Sequence, residues 1–399
     1  MNVFLPLLLI CFALSILVGT LLEASPPIKL TSLITGRVDA AGKAVSPPWP
    51  PSGEAALASS TGQLIGTHGP TRSVPIGSLA KIMTAYLVLK KYPLAKGQAG
   101  FTMTVTASDF ASMAQREAEG QSMIGVYQGE TLTERQALEA MLIPSADNIA
   151  AFLAAYVGPS VRAFVAKMNA TARALGLDHT HFTDASGYAP GSRSNSTDLI
   201  KLGRIAMENP TFAQIVGTYT VYLPNGVPGA KPIKFTNYNG LVGSYGFTGI
   251  KTGSTPQAGQ ALLFSVHRKV KGREVSLLGD VLEQHGPGIV GGALSSALSL
   301  VDGYYSRLGW RTALPAGTVV ARLSRAGRTV FMTLRSPLRV LSLPGAKVAI
   351  SVRFDTKNPG KGESAIVRGE TPGSPLARAV GRAKALPGPG FFWKLEHFF

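Results

Sequence analysis

Apolar residues follow two different spacings along the chain, and each spacing indicates a different kind of folded region. Five segments have strand composition and are bounded by turn residues: 54–59, 63–67, 247–252, 259–267 and 274–282. Between the second and the third of them the spacing becomes helical, and residues 289–305 again place apolar side chains on one helical face. Two early strands, a helical middle, three late strands and a closing helix predict one α+β unit over residues 52–308.

Capping residues mark the start of one of these helices. Thr133-Glu134-Arg135-Gln136 is a capping box, and it predicts a helix that ends near Leu142. Further helices are predicted over residues 77–89, 150–156 and 160–175.

Residues 318–367 alternate between apolar and polar positions, as segments 329–334 and 347–352 show. A period of two residues is typical of strands that are buried on one face. We therefore expect a small all-β domain over residues 309–372, followed by a basic and aromatic tail over residues 373–399.

The N-terminal region is predicted to target the chain to a membrane. Residues 4–22 are almost wholly apolar, and no Lys or Arg precedes Lys29. This composition predicts a signal peptide or a membrane anchor over residues 1–25, and hence an extracytoplasmic, membrane-associated protein. Residues 26–51 are rich in proline, which keeps a chain extended, so we expect a linker that spaces the folded part from the membrane.

The charge of the chain favours anionic partners. Its 399 residues carry a net charge of +17, which predicts attraction to wall polymers or lipid headgroups. The N-terminal segment and the dispersed placement of Lys and Arg argue against nucleic acid. The tail over residues 373–399 is open to two interpretations, a segment that lies on a membrane surface and a disordered end.

The cysteine and histidine content argues against metal chemistry. Cys11 is the one cysteine, and it lies in the apolar N-terminal segment, so the remaining chain has no thiol for a disulfide, a zinc site or a nucleophile. His179 and His181 are two residues apart, a spacing more typical of a surface than of a metal site. We expect no metal and no other cofactor.

Three short motifs carry the candidate chemistry: Ser78-Leu79-Ala80-Lys81, Ser145-Ala146-Asp147 and Lys251-Thr252-Gly253. A serine hydroxyl is a poor nucleophile at neutral pH and needs a base within hydrogen-bond reach. Lys81 follows Ser78 by three residues in a predicted helix, so it would lie one turn away and act as the general base if burial keeps its amine uncharged. Ser145 would supply a second hydroxyl that shuttles the proton to the leaving amine.

The other motif positions are interpreted as substrate-binding. Asp147 would present a polar group to the substrate backbone, and Lys251 would add positive charge to the site. Thr252 would hydrogen-bond a substrate carboxylate, and Gly253 would leave room for a substrate backbone beside the strand. The backbone N–H groups of Ser254 and Ser78 would form an oxyanion hole.

With these motifs the chain resembles the low-molecular-mass penicillin-binding proteins, which are serine-type D-alanyl-D-alanine carboxypeptidases of the peptidase S11 family. The similarity covers roughly residues 52–308 and includes segments 75–86, 129–133, 168–169, 184–187, 196–199 and 249–255. It implies a β-lactamase/transpeptidase-like fold, in which helices flank a five-stranded antiparallel sheet beside a helical subdomain.

The resemblance also implies a reaction. Ser78 would attack the carbonyl of the penultimate D-Ala in a peptidoglycan stem peptide that ends in D-Ala-D-Ala. The terminal D-Ala would leave, and water would hydrolyse the acyl-enzyme. β-Lactams would acylate Ser78 as substrate mimics.

Two positions depart from the family pattern, and three alternatives stay open. The family favours Asn where Asp147 stands, so either Asp147 replaces that amide or Asn148 takes its place; Ala80 stands where Thr is frequent. The alternatives are a β-lactamase of the same fold, a DD-endopeptidase and a catalytically inactive wall-binding homologue. Class A β-lactamases need a Glu downstream of the second motif, and none occurs between Glu139 and Glu208.

Overall fold

The computed structural model describes Ile10, Phe12, Ser15 and residues 27–355 and 364–383 of the chain. Strands in this part of the chain are β1 (Lys29–Ser32), β2 (Gly36–Asp39), β3 (Glu54–Ser59), β4 (Leu64–His68), β5 (Val74–Pro75), β6 (Thr102–Thr104), β7 (Thr131–Thr133), β8 (Arg193–Ser194), β9 (Thr220–Leu223), β10 (Ile233–Thr236), β11 (Phe247–Thr255), β12 (Gly259–Val270), β13 (Arg273–Gln284), β14 (Gly309–Leu314), β15 (Val319–Arg325), β16 (Arg328–Leu334), β17 (Leu338–Ser342), β18 (Lys347–Asp355), β19 (Ser364–Glu370) and β20 (Ala377–Arg382).

A 3-10 turn over Gly77–Ala80 leads into the first α-helix. The helices are α1 (Lys81–Lys91), α2 (Ala107–Ala111), α3 (Met113–Ala118), α4 (Glu134–Leu142), α5 (Asp147–Val157), α6 (Val161–Ala174), α7 (Ser196–Met207), α8 (Pro210–Val216) and α9 (Gly291–Arg307). The capping box at Thr133 is confirmed, since the Thr133 side chain accepts from the backbone N–H of Gln136. Helix α5 begins three residues before its predicted start. The prediction missed its first turn because Asp147 and Asn148 are polar and do not belong to the apolar pattern.

Residues 46–308 and 372–374 form one compact unit, called the larger unit here. Its sheet is antiparallel in the order β11-β12-β13-β3-β4, and helices α7 and α9 pack against it. Helices α1, α4, α5 and α6 pack against one another and share one apolar core. The predicted α+β architecture, a five-stranded antiparallel sheet with flanking helices and a helical subdomain, is confirmed.

A second compact unit, called the β unit here, contains the described residues of 27–45, 309–371 and 375–383. Its main sheet has seven strands in the order β1-β15-β16-β20-β19-β18-β2, and β14 pairs with β17. Leu323, Met332, Val348 and Val367 are among the buried residues of its own core. The unit is all-β, as the alternating pattern predicts.

The prediction that residues 26–51 form a linker is wrong for most of that segment. Strand β1 pairs with β15, and strand β2 pairs with β18, so this segment belongs to the β unit. Further along, the Trp49 ring stacks on His68 with 6.2 Å between centroids. Strands of four residues leave too few alternating positions for the pattern to be recognised, and their partners lie about 300 residues away in sequence.

The predicted boundary between the β domain and the tail also differs from the structure. Strand β20 lies inside the predicted tail of residues 373–399 and pairs with β19 and β16. The rest of that tail, residues 384–399, lies outside the described residues. The same holds for the predicted leader over residues 1–25, except for three positions.

Within the described part of the chain, no single helix has the length and the apolar composition to cross a bilayer. Helices α5 and α6 meet those requirements only when taken together, and they are bent by 90° relative to each other.

Candidate active site

Ser78 and Lys81 contact each other directly. Ser78 lies on the 3-10 turn, and Lys81 is the first residue of α1. Three residues complete one turn of a 3-10 helix, so both side chains project to the same side. Lys81 Nζ donates a hydrogen bond to Ser78 Oγ at 2.7 Å, and the Lys81 side chain is fully buried. The predicted nucleophile and the predicted base therefore lie within the distance that proton transfer requires.

Asp147 is the counter-ion of Lys81. Its Oδ1 accepts a hydrogen bond from Lys81 Nζ at 2.5 Å, and its Oδ2 accepts one from the backbone N–H of Ser122 at 2.9 Å. The Asp147 side chain is almost fully buried. Both carboxylate oxygens thus have a partner within the protein, which corrects the prediction that Asp147 presents a free polar group to the substrate.

A third group binds the lysine amine. The backbone carbonyl of Ser186 accepts from Lys81 Nζ at 3.1 Å. The side chain of Asp184 holds this loop, because its Oδ1 accepts from the backbone N–H groups of Ser186 at 2.7 Å and Gly187 at 2.5 Å. Gly187 has φ +83°, and a Cβ atom there would lie 1.9 Å from Gly77 O. The loop therefore closes directly over the turn that carries Ser78.

Lys251 is the second buried amine of the site. It lies on β11, at the edge of the five-stranded sheet, and its side chain is almost inaccessible to solvent. Its Nζ donates to Thr252 O at 3.2 Å and to Thr252 Oγ1 at 3.4 Å. Burial and the neighbouring Lys81 ammonium lower the pKa of Lys251 well below its usual range, and the Asp147 carboxylate opposes that shift. An anion that binds here would favour the protonated amine.

The backbone of β11 lies against the turn that carries Ser78. A Cβ atom at Gly77 would lie 3.0 Å from the backbone nitrogen of Ser254, and one at Gly253 would lie 2.6 Å from Ile76 O. The hydrogen in place of a side chain at Gly253 therefore makes room for the turn, whereas the sequence prediction gave that space to a substrate. The close approach brings the segments of the two predicted oxyanion donors, Ser78 N–H and Ser254 N–H, side by side.

Ser145 lies at the corner between α4 and α5, two residues before Asp147. It has φ +65°, a conformation that is uncommon for residues other than glycine, and it is buried. The backbone N–H of Ala146 donates to Ala140 O at 3.0 Å and fixes the corner. The Ser145 hydroxyl makes no hydrogen bond to any residue that the structure describes, so it is free to bind a substrate or a water molecule.

Asn148 does not take the place of Asp147 in the site. Its Oδ1 accepts from the backbone N–H of Ile124 at 3.4 Å, and its Nδ2 donates to Ile124 O at 2.9 Å. Both ends of the amide thus hold one neighbouring backbone segment. The structure therefore corrects the prediction that Asn148 binds substrate and leaves it a positioning residue.

Sequence reasoning missed the two backbone segments that complete the site, residues 122–124 and 184–187. The second was noticed only as a segment that resembles the family, without a role. The first carried no signal, because backbone groups of Ser122 and Ile124 make its contacts and any residue except proline would provide them.

Metal ligation finds no support among the described residues, where no three His, Cys, Asp or Glu side chains are grouped in a way that would hold an ion. His181 forms an isolated backbone bridge with Arg193, and the backbone N–H of His179 donates to Asp198.

Comparisons with known proteins agree with this geometry. The family model of peptidase S11, D-alanyl-D-alanine carboxypeptidase, matches residues 44–279. A D-alanyl-D-alanine carboxypeptidase of Streptomyces sp. strain K15 is 33% identical over 239 residues, which are 57% of this chain and 78% of the relative. The carboxypeptidase DacB2 of Mycobacterium tuberculosis is 30% identical over 231 residues, 57% of this chain and 74% of the relative.

Two further similarities bear on activity and fold. A D-alanyl-D-alanine endopeptidase of Escherichia coli is 28% identical over 229 residues, 56% of this chain and 70% of the relative. The crystal structure of the Streptomyces K15 DD-transpeptidase superimposes with a TM-score of 0.56 at 28% identity, and it covers 65% of this chain and 98% of that structure. The family model matches more than half of the chain, and the matched region holds Ser78 together with the buried Lys81 and Lys251. The chain belongs to the peptidase S11 family of D-alanyl-D-alanine carboxypeptidases.

Proposed function

We propose that Ser78 is the nucleophile of a serine DD-carboxypeptidase that removes the terminal D-Ala from peptidoglycan stem peptides. The observation that carries the proposal is the hydrogen bond of 2.7 Å between a fully buried lysine amine and the Ser78 hydroxyl. Exposed lysines stay protonated at neutral pH, and only a buried one beside a suitable partner serves as a base.

Asp147 supplies that partner in the proposed mechanism. One proton moves from Lys81 to Asp147 within their short hydrogen bond, and this leaves a neutral amine and a neutral acid in a buried place. Lys81 then accepts the Ser78 proton while Ser78 Oγ forms a bond to the carbonyl carbon of the penultimate D-Ala. The number of protons on the pair stays constant until the serine gives up its own.

Other site residues act on charge that develops in the substrate. The backbone N–H groups of Ser78 and Ser254 stabilise the oxyanion. Ser145 passes the proton from Lys81 to the amine of the departing D-Ala. Lys251 and Thr252 bind the terminal carboxylate of the stem peptide, and the bound anion restores the charge that burial takes from Lys251. Water then hydrolyses the acyl-enzyme and frees Ser78.

DD-endopeptidase activity is the second candidate, because relatives named D-alanyl-D-alanine endopeptidases are 28% and 29% identical to this chain. The two activities share the acylation step and differ in the leaving group, which is free D-Ala or a cross-linked peptide. Release of D-Ala from a soluble stem pentapeptide, compared with cleavage of a cross-linked dimer, distinguishes them.

The site is proposed to act outside the cytoplasm on peptidoglycan, with the N-terminal segment over residues 1–25 as its membrane attachment. The support for this location is the apolar composition of residues 4–22 and the chemistry of the substrate, which is a wall polymer.

Intact mass after exposure to penicillin tests the nucleophile. The wild-type protein gains the mass of one penicillin, and Ser78→Ala gains none while its circular dichroism spectrum stays that of the wild type. Ser145→Ala, which keeps the nucleophile and the base, still forms the adduct at a reduced rate. An adduct on Ser78→Ala, or none on the wild type beside a labelled control enzyme, contradicts the proposal.

A further inference from the structure

The outward face of the seven-stranded sheet carries arginines on three adjacent strands. Side chains alternate between the two faces of a strand, and the inward set, which includes Val348, Val367 and Ala379, is buried in the core of the β unit. The outward set includes Arg353 on β18, Arg368 on β19, and Arg378 and Arg382 on β20. These four residues are called the arginine face.

Two of these arginines stand directly opposite each other. Arg368 pairs with Arg378 in the register of β19 and β20, which places their Cβ atoms about 5 Å apart. One ion pair of the β unit joins Lys347 and Asp39, which lie outside the arginine face, and Glu370 follows Arg368 by two residues on the same side of β19. Like charges in this arrangement destabilise a sheet, and a bound anion removes the repulsion.

Apolar side chains lie among the charges, and of these Val380 and Phe331 are exposed whereas Ile366 is half-buried. Val380 on β20 and Ile366 on β19 are opposite each other, and Ile366 is opposite Arg353. Phe331 lies on β16, two strands from β19 in the same sheet. Its side chain is 55% exposed, and it pairs with Arg322 on β15. A soluble polyanion offers nothing that these apolar groups would bind. A bilayer surface offers both phosphates and the upper part of its acyl chains.

We propose that the arginine face binds the surface of an anionic bilayer. Arginine forms paired hydrogen bonds to phosphate oxygens, and each basic residue close to an anionic membrane adds to its affinity. Phe331, Val380 and Ile366 enter the headgroup region beside these contacts. The inference is independent of the acyl-transfer site, because it concerns only residues of the β unit.

A fluorophore on the arginine face reports whether that face contacts a bilayer, even if the N-terminal segment attaches the full chain to the vesicle. The full chain carries Cys11→Ala and Thr329→Cys, since Thr329 is exposed on β16, two residues before Phe331. An environment-sensitive thiol label there is mixed with vesicles of phosphatidylcholine alone, or with 30 mol% phosphatidylglycerol added. We expect the fluorescence to increase only with the anionic vesicles, and we expect high salt to reverse this increase. A label at Ala170→Cys, on the exposed side of α6, should respond equally little to both.

Matched charge reversals distinguish the face from the net charge of the chain. Arg368→Glu with Arg378→Glu should lower the response of the label at position 329 to the anionic vesicles by about tenfold or more. Arg162→Glu with Arg173→Glu, on exposed positions of α6, changes the net charge by the same amount and should leave the response of that label within about twofold. Thermal unfolding of each variant confirms that it folds.

Several outcomes would overturn the proposal. They are no response at position 329, an equal response to neutral vesicles, and equal losses from the two double reversals. If soluble polyphosphate produces the same response and Phe331→Ala leaves vesicle affinity unchanged, the face binds a phosphate polymer, and the bilayer assignment is wrong.

Discussion

Two clusters of ionisable side chains are buried in the larger unit, and burial has opposite consequences for them. One, called the mixed cluster here, combines two lysines with a carboxylate and consists of Lys81, Asp147 and Lys251. The other, called the acidic cluster, consists of the two carboxyls of Glu54 and Asp280 on the neighbouring strands β3 and β13. In the first cluster, opposite charges satisfy each other at 2.5 Å. In the second, burial raises the pKa of Asp280 to about 8 and also raises that of Glu54.

The comparison teaches that a buried charge needs a partner of opposite sign or a proton. In the mixed cluster, Lys81 and Asp147 satisfy each other and can move a proton between them, which suits catalysis, whereas burial lowers the pKa of Lys251. In the acidic cluster the backbone N–H of Ala56 donates to Asp280 Oδ1 at 2.8 Å, and that of Arg72 donates to Glu54 Oε1 at 2.7 Å. Ser196 lies close enough to both carboxyls to lower their pKa values, but the effect of burial is larger. Asp280 therefore holds a proton at neutral pH, and the acidic cluster couples stability to pH.

Lys81→Met should have the largest effect, because it breaks the mixed cluster. The acylation rate by penicillin should fall at least about a thousandfold, since the base is lost. The free energy of unfolding should fall by about 3–5 kcal/mol, because Asp147 stays buried without a counter-ion. Urea unfolding and the adduct mass measure the two effects.

The double variant Lys81→Met with Asp147→Asn is the matched control. It should recover most of the lost stability and remain inactive, because no charge is stranded but the base is still absent. A double variant that is as unstable as the single one would show that the ion pair does not explain the loss.

Asp280→Asn removes the proton requirement of the acidic cluster. The folded state of the wild type holds its proton up to about pH 8, whereas an ordinary Asp loses it near 3.8, so wild-type stability falls as pH rises through this window. The variant should therefore gain stability relative to the wild type between pH 5 and pH 8, on the order of 4 kcal/mol at pH 7. Urea unfolding at pH 5, 7 and 8 measures this difference. Asp178→Asn, on an exposed loop, should show no such trend; a gain for Asp280→Asn that is independent of pH would contradict the buried proton.

Asp147→Asn sharpens the role given to the mixed cluster. In the proposed mechanism the Asp147 carboxylate takes the proton of Lys81 across their hydrogen bond. An Asn side chain can still accept a hydrogen bond from Lys81 but cannot take its proton, so the acylation rate should fall by about a hundredfold. Stopped-flow acylation measures the rate. An unchanged rate would mean that Asp147 only positions Lys81.

Arg368→Glu alone should have the smallest effect, and it carries the comparison to the β unit. The new carboxylate would face Arg378 across the strand pair, so repulsion becomes attraction. We expect a gain of about 0.5–1 kcal/mol, measured as a higher Tm at low salt and a smaller gain at high salt. A lower Tm would mean that the two side chains do not interact.

The sequence was informative where function depends on local spacing. Ser78 and Lys81 are three residues apart on one turn, so their contact follows from the order of residues alone. The family resemblance then supplied the five-stranded sheet and the reaction. The counter-ion of Lys81 was missed, because Asp147 lies 66 residues away and only the packing of α5 against α1 brings it close.

Backbone partners escaped prediction for a related reason. Ser186 contributes a carbonyl and Ser122 an N–H group to the site, and neither contribution depends on the identity of the side chain. The strands at residues 29–39 were missed because each is four residues long and lies near an edge of a sheet whose other strands come from the far end of the chain. Such pairings have no local signature.

The pairing of β1 with β15 and of β2 with β18 makes the larger unit an insertion within the β unit. During synthesis the first two strands leave the ribosome long before their neighbours exist, so the inserted region has time to fold first. A protein truncated after residue 308 would keep both strands and lose the strands they pair with. Their unpaired backbone N–H and C=O groups would then favour aggregation. Engineered versions of the isolated hydrolase should therefore start after Val45, with residues 1–45 removed together with the C-terminal strands.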